Sequence, residues 1–163
     1  HCYYIKFKAV KKALKEPEVL DSKEEVEIKE PLVILTAIEK GDTEKELQQM
    51  IEAVKKTADE VKASHLVLYP YAHLSPNLAP PNQALNYIKQ AEQSLSKNFK
   101  VTRAPFGYYK TFELKCKGHP LAELSKEFHH SLQDSSSVSD ESYDIQHLLK
   151  EISRSKLDTS KLK

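Results

Sequence analysis

The sequence predicts an α/β protein in packed layers, a layered α+β fold. Two observations carry this expectation. Short β-branched or alternating runs take turns with segments of helical spacing, in the order β, β, α, β, α, β, β, α, and such alternation builds sheets covered by helices. The composition fits a folded domain: of 163 residues, 39% are hydrophobic and 30% charged. That length is enough to bury a core without staples.

The first strand is the alternation of Tyr3, Ile5, Phe7 and Ala9 with Tyr4, Lys6 and Lys8. It starts at the first residue, without an initiator methionine, so a segment upstream is expected. Lys11 to Glu30 is polar and charged around Pro17 and reads as a loop with at most a short helical or edge segment. Pro31 to Glu39 (PLVILTAIE) is a continuous β-branched run, expected as a strand buried on both faces. Thr43 and Glu46 have capping-box spacing. Behind them Leu47, Met50, Ile51, Val54, Ala58 and Val61 keep helical spacing. His65 to Tyr71 is a second buried strand, and Pro70 ends its ladder. Pro81 opens a helix with Leu85, Ile88, Ala91 and Leu95 on one face. A strand, a Pro-Phe-Gly turn and another strand follow. Pro120 suits the first turn of a last helix, preceded by a turn at Gly118. Residues 129–142 are serine-rich and read as a disordered linker. Residues 143–163 hold a short amphipathic helix, Ile145 to Ile152, and lead toward an expected C-terminal continuation.

The net charge of +1 calls for no nucleic-acid partner through bulk charge, although lysines can still form a local patch. No apolar run approaches the roughly 18 residues of a membrane span, and no signal peptide is visible. Cys2 and Cys116 fit neither a disulfide framework nor a CxxC site and read as reduced thiols. Glycine-rich phosphate loops, HExxH and GxSxG elbows are absent. Ser75 and Cys116 have no base and orienting partner in sequence. A metal site at Cys116/His119 or His129-His130 has poor spacing.

One residue breaks the pattern. From Tyr108 by twos, Lys110, Phe112, Leu114 and Cys116 share a face, whereas Tyr109, Thr111, Glu113 and Lys115 suit water. A lysine on an apolar strand face snorkels, finds a carboxylate or lines a cavity. His73 follows a buried strand at its carboxyl end, where ligands gather in layered α/β folds, but a loop histidine is commonly just solvated. Glu123 in a first helical turn would be stabilised by the helix dipole alone. From these residues the reading stops at a layered α/β domain with a small polar pocket.

The blocks YPYAHLSPNLAPP, RAPFGYYKTFELKCKGHPLAELS and HCYYIKFKAVKKALKEPE resemble the N-terminal editing domain of archaeal threonyl-tRNA synthetases, over about residues 1 to 128. The tail EISRSKLDTSKLK resembles the segment leading into the synthetase catalytic region. The resemblance implies a fold like D-aminoacyl-tRNA deacylases, with mixed sheets packed with helices, and a cytoplasmic homodimer with no membrane role. It implies proofreading hydrolysis of Ser-tRNA(Thr) at the acceptor end by a water nucleophile, with the terminal 2′-hydroxyl of the tRNA helping to place that water. Lys110, His73, Tyr109 and Glu123 carry over as catalytic residues, and Pro70, Tyr71 and Ala72 as lining of the seryl pocket. No cofactor or metal is implied for this domain; ATP and zinc belong to the catalytic region. Family members commonly have a short apolar strand ahead of the histidine matching His1, and a small polar and an acidic residue where Cys2-Tyr3 stands. The competing expectations are a freestanding D-aminoacyl-tRNA deacylase and a catalytically degenerate tRNA-binding or dimerisation domain.

Overall fold

The computed structural model describes residues 1–129. The linker and short helix expected over 129–142 and 143–163 fall outside the described residues, apart from His129. The chain runs β1 (Cys2–Lys12), β2 (Val26–Lys29), β3 (Leu32–Thr36), α1 (Glu44–Val61), β4 (His65–Pro70), a one-turn 3-10 helix (Ala72–Leu74), α2 (Pro81–Leu95), β5 (Lys100–Arg103) and β6 (Tyr108–Cys116). Strands form two three-stranded sheets, one antiparallel in the order β2-β1-β6 and one parallel in the order β3-β4-β5. Parallel neighbours need a crossover, and α1 and α2 supply the two crossovers.

β4 explains the layering. Its Leu66, Val67, Leu68 and Tyr69 are all at most 1% exposed. Alternate side chains leave opposite faces of a strand. Leu66 and Leu68 pack on Leu47, Ile51, Val54 and Ala58 of α1 and on Ala91 and Leu95 of α2. Val67 and Tyr69 pack instead on Ile5 and Phe7 of β1 and Ile28 of β2. The parallel sheet is therefore sandwiched between the helices and the antiparallel sheet, and a central strand with both faces covered must be apolar throughout. Among the described residues no helix is long and apolar enough to cross a membrane.

Thr43 closes α1 as expected. Its N–H donates to the Glu46 carboxylate at 2.7 Å, and its hydroxyl caps the helix start. Four expectations are corrected. β3 is not buried on both faces: it is an edge strand, and Leu35 is exposed. Tyr3 does not share the inner face with Ile5 and Phe7. The β1–β6 register shifts between Cys2 and Tyr4, so Cys2 turns inward and Tyr3 is about half exposed. Gly118 does not carry the left-handed turn; Gly107, at φ +82°, does. The last helix is absent. Its first turn forms, with the Ala122 N–H on the His119 carbonyl at 2.9 Å. The Ala122 carbonyl, which a helix would give to residue 126, is taken by the His1 main-chain nitrogen at 2.6 Å. Leu121 and Leu124 remain exposed, so no apolar face drives the helix on.

Candidate active site

Lys110 rests on a bed of rings. Tyr69, buried at the end of β4, meets Phe7 edge-on at 5.8 Å between centroids and Phe112 of β6 at 5.4 Å. Tyr71 joins at 6.2 Å from Tyr69 and 6.0 Å from Phe112, and the His73 ring lies 5.3 Å from Tyr71. Lys110 Nζ stands 5.1 Å from the centre of the Tyr69 ring. Two of its N–H groups donate to the carbonyls of Pro105 at 2.9 Å and Tyr108 at 3.1 Å. Burial among these rings pulls its pKa down to about 8. The lysine neither snorkels nor pairs with a carboxylate; it is a partly desolvated cation held by carbonyls.

The turn that presents those carbonyls is built by a residue far away in sequence. Glu18 takes a bidentate pair from Arg103 of β5, at 2.7 and 2.5 Å, and the Phe106 N–H at 3.1 Å. The Tyr108 hydroxyl donates to the Glu18 carbonyl at 2.8 Å. Arg103 also donates to Glu92 of α2 at 2.6 Å. Burial alone would raise the Glu18 carboxyl, but the hydrogen bonds from Arg103 and Phe106 outweigh it and hold the group below its ordinary value. Gly107 completes the turn, its carbonyl accepting from Ala13 at 2.8 Å and Leu14 at 3.2 Å. Sequence reasoning missed Glu18 and Arg103. Their partnership spans 85 residues, and nothing in the polar run around Pro17 marks one glutamate among many.

Tyr71 and His73 are linked through the Tyr69 ring to Lys110, at the carboxyl end of β4, whereas Pro70 and Ala72 adjoin this cluster only in sequence. The Tyr71 N–H extends the ladder to the Thr36 carbonyl at 2.8 Å. Ala72 and His73 are exposed on the 3-10 turn. Ser75 is no free nucleophile: its hydroxyl donates to the Glu39 carboxylate and accepts the Asn77 N–H at 3.0 Å, tying the loop. Tyr109 points away. It is 57% exposed and paired with Lys11 on β1, on the far face from Lys110. Glu123 lies on an exposed coil, not in a helical turn, so the dipole account of it fails. It lines a cleft of about 740 Å³ between β3, α1 and residues 121–129. That cleft reaches Leu74 and Ser75 beside His73, but its walls include neither Lys110 nor His73. Among the described residues, no group of three or more His, Cys, Asp or Glu is placed to hold a metal ion.

A sequence model of the archaea-specific editing domain of threonyl-tRNA synthetase matches residues 1–128. The chain is 44% identical over 126 residues to the threonine–tRNA ligase editing subunit of Saccharolobus solfataricus, covering 77% of this chain and 32% of that protein. It is 42% identical over 130 residues to the threonine–tRNA ligase of Methanobrevibacter smithii, and 46% over 132 residues to that of Methanoregula boonei. Each of these covers 77% of this chain and 21% of the relative. The matched region thus spans between a fifth and a third of these relatives' length. By a family match from the first residue through Phe128, the chain belongs to the archaea-specific editing domains of threonyl-tRNA synthetase.

Proposed function

We propose that this domain hydrolyses the ester of serine wrongly attached to tRNA(Thr). The observation that carries the reading is Lys110, a cation on the Tyr69 ring, which joins Tyr71 and through it His73 by ring contacts. A synthetic site tells threonine from serine by one methyl group, worth only about 1–3 kcal/mol. A second pocket that admits serine and clashes with the threonine methyl supplies the missing discrimination. In this reading Pro70, Tyr71 and Ala72 line that pocket through their main chain, which the Tyr71 N–H ties to the Thr36 carbonyl.

Water adds to the ester carbonyl carbon and loses a proton as the carbonyl electrons move onto oxygen; those electrons then re-form the carbonyl and the C–O bond to the ribose breaks. Serine leaves, and the ribose oxygen takes a proton. Main-chain N–H groups along the turn stabilise the oxyanion. Lys110 holds the polar groups of the seryl-adenosine end, and the 2′-hydroxyl of the tRNA places the water. His73 borders the opening. Glu123 and Tyr109 act from outside the ring cluster, Glu123 from the adjoining cleft and Tyr109 on the RNA or at a homodimer contact. The reading calls on no cofactor from this domain and places the reaction in the cytoplasm.

The test is side-by-side hydrolysis of Ser-tRNA(Thr) and Thr-tRNA(Thr) by the folded chain. Loss of the seryl ester with the threonyl ester intact is the expected result. Preference for a D-aminoacyl ester replaces the reading with a D-aminoacyl-tRNA deacylase. Binding of tRNA without turnover of any ester replaces it with a binding domain.

A further inference from the structure

Cys2 and Cys116 face each other across the β1–β6 ladder. The Lys117 N–H donates to the His1 carbonyl at 2.9 Å, and the Cys2 N–H goes to Pro31 at 2.9 Å and not to Cys116. This is the pattern of a non-hydrogen-bonded antiparallel pair, in which the Cα atoms approach to about 4.5 Å. Disulfides use Cα separations of about 4.4–6.8 Å. Directly opposed side chains share a face, and here the two sulfurs lie 3.8 Å apart as free thiols. The rings of His1 and His119 stand near one another, with 3.3 Å between Nδ1 and Nε2. The four side chains do not converge as metal ligands, so the thiols stand as a pair.

We propose that Cys2 and Cys116 form a reversible disulfide by exchange with a low-molecular-weight disulfide, fastening the start of β1 to the end of β6. Cys116 is half-buried and Cys2 is 2% exposed, so Cys116 reacts first. Its thiolate attacks one sulfur of the small disulfide and expels a thiolate, leaving a mixed disulfide. The Cys2 thiolate then attacks Cys116 Sγ and expels the second small thiolate. Two protein thiols lose two electrons and two protons, and the small disulfide becomes two thiols. Burial and the neighbouring Cys116 push the Cys2 thiol up to about 11, so closure quickens as pH rises. The bond closes a loop with a sequence separation of 114 residues, and the entropy that a cross-link removes from the unfolded chain grows with loop length. It also fixes the strand end from which the His119–Ala122 turn departs. The proposal is independent of which ester the domain cleaves.

The experiment exposes the whole chain to oxidised glutathione and then alkylates and maps it by mass spectrometry. The expected product is a monomer lighter by two hydrogens, with a linked Cys2–Cys116 peptide and no alkylated thiol. Its melting temperature should rise by roughly 5–15 °C over the reduced chain and fall back on reduction. Hydrogen exchange at Lys117 to Ala122 should slow. Cys2→Ala should stop at a glutathione adduct on Cys116, and Cys116→Ser should take up none at Cys2. A lasting glutathione adduct on the unaltered chain, a disulfide between two chains, or two thiols that stay alkylatable would each overturn the proposal. The peptide map of the unaltered chain decides the matter even if a variant fails to fold.

Discussion

Lys110 is the residue where sequence and structure meet most usefully. Its place on the apolar face follows from counting by twos along β6, and Phe112 and Leu114 confirm the phase. What counting does not reveal is the ring beneath it, because Tyr69 comes from another sheet. Its folded pKa of about 8 lies below its ordinary 10.5. Between those values the unfolded chain binds more protons, so stability rises with pH. Below about pH 8 the fold carries the full cost of a desolvated charge. Lys110→Met should therefore melt higher than the parent at pH 7, with the gap narrowing by pH 10, as differential scanning fluorimetry at both pH values will show. The same variant should lose about 10²-fold or more in seryl-ester hydrolysis. In the parent, rate above the uncatalysed background should decline as pH rises through about 8. Glu18 has the opposite sign. Its carboxyl is held below 4.5, so its contribution is complete above that value and fades as pH falls through the lowered one. Glu18→Gln should cost about 2–3 kcal/mol at pH 7 in urea unfolding, and the difference should close in acid.

Elements read well where one local rule governs them. The capping box of Thr43 and Glu46 and the apolar stripe of α1 needed only neighbours in sequence. The last helix failed because its outcome was decided by the capture of the Ala122 carbonyl from His1, 121 residues away. The expectation for Tyr3 failed because one register shift reverses a strand's faces. The turn between β5 and β6 is the element on which the site depends most. A methyl group added at Gly107 would come within 2.9 Å of Pro17 Cβ and 3.1 Å of both Leu14 Cδ1 and Pro17 Cα, at a φ that L side chains rarely adopt. Gly107→Ala should lower stability by about 2–4 kcal/mol in chemical denaturation. It should also depress hydrolysis beyond what unfolding explains, since the Pro105 and Tyr108 carbonyls move with the turn.

At the scale of the molecule, the layered class was legible because β4 is buried without a break from Leu66 through Tyr69. The division into one parallel and one antiparallel sheet was not, because pairing partners lie far apart and strand patterns carry no label for direction. The outward face of the antiparallel sheet carries Tyr4, Lys6 and Lys8 of β1, Lys29 of β2 and Lys115 of β6, with the carboxylates of Glu27 and Glu113 opposite Lys6. Four lysines against two glutamates leave this face positive although the net charge of the chain is near neutral, so it is the face on which a phosphate backbone is to be tested. Removing Lys8 and Lys115 together should weaken tRNA binding and flatten the dependence of log affinity on log salt by roughly one unit per lysine, measured by filter binding. An unchanged slope would move the RNA to another face. The Glu18 clamp also sorts the excursion between β1 and β2 into two halves for anyone who wishes to engineer the domain. Ala13, Leu14, Pro17 and Glu18 are fastened to or packed on the Gly107 turn, so an insertion among them should disrupt it. Asp21 to Glu25 is exposed, so a peptide tag or a fluorescent label attached at Lys23 would leave the Gly107 turn undisturbed.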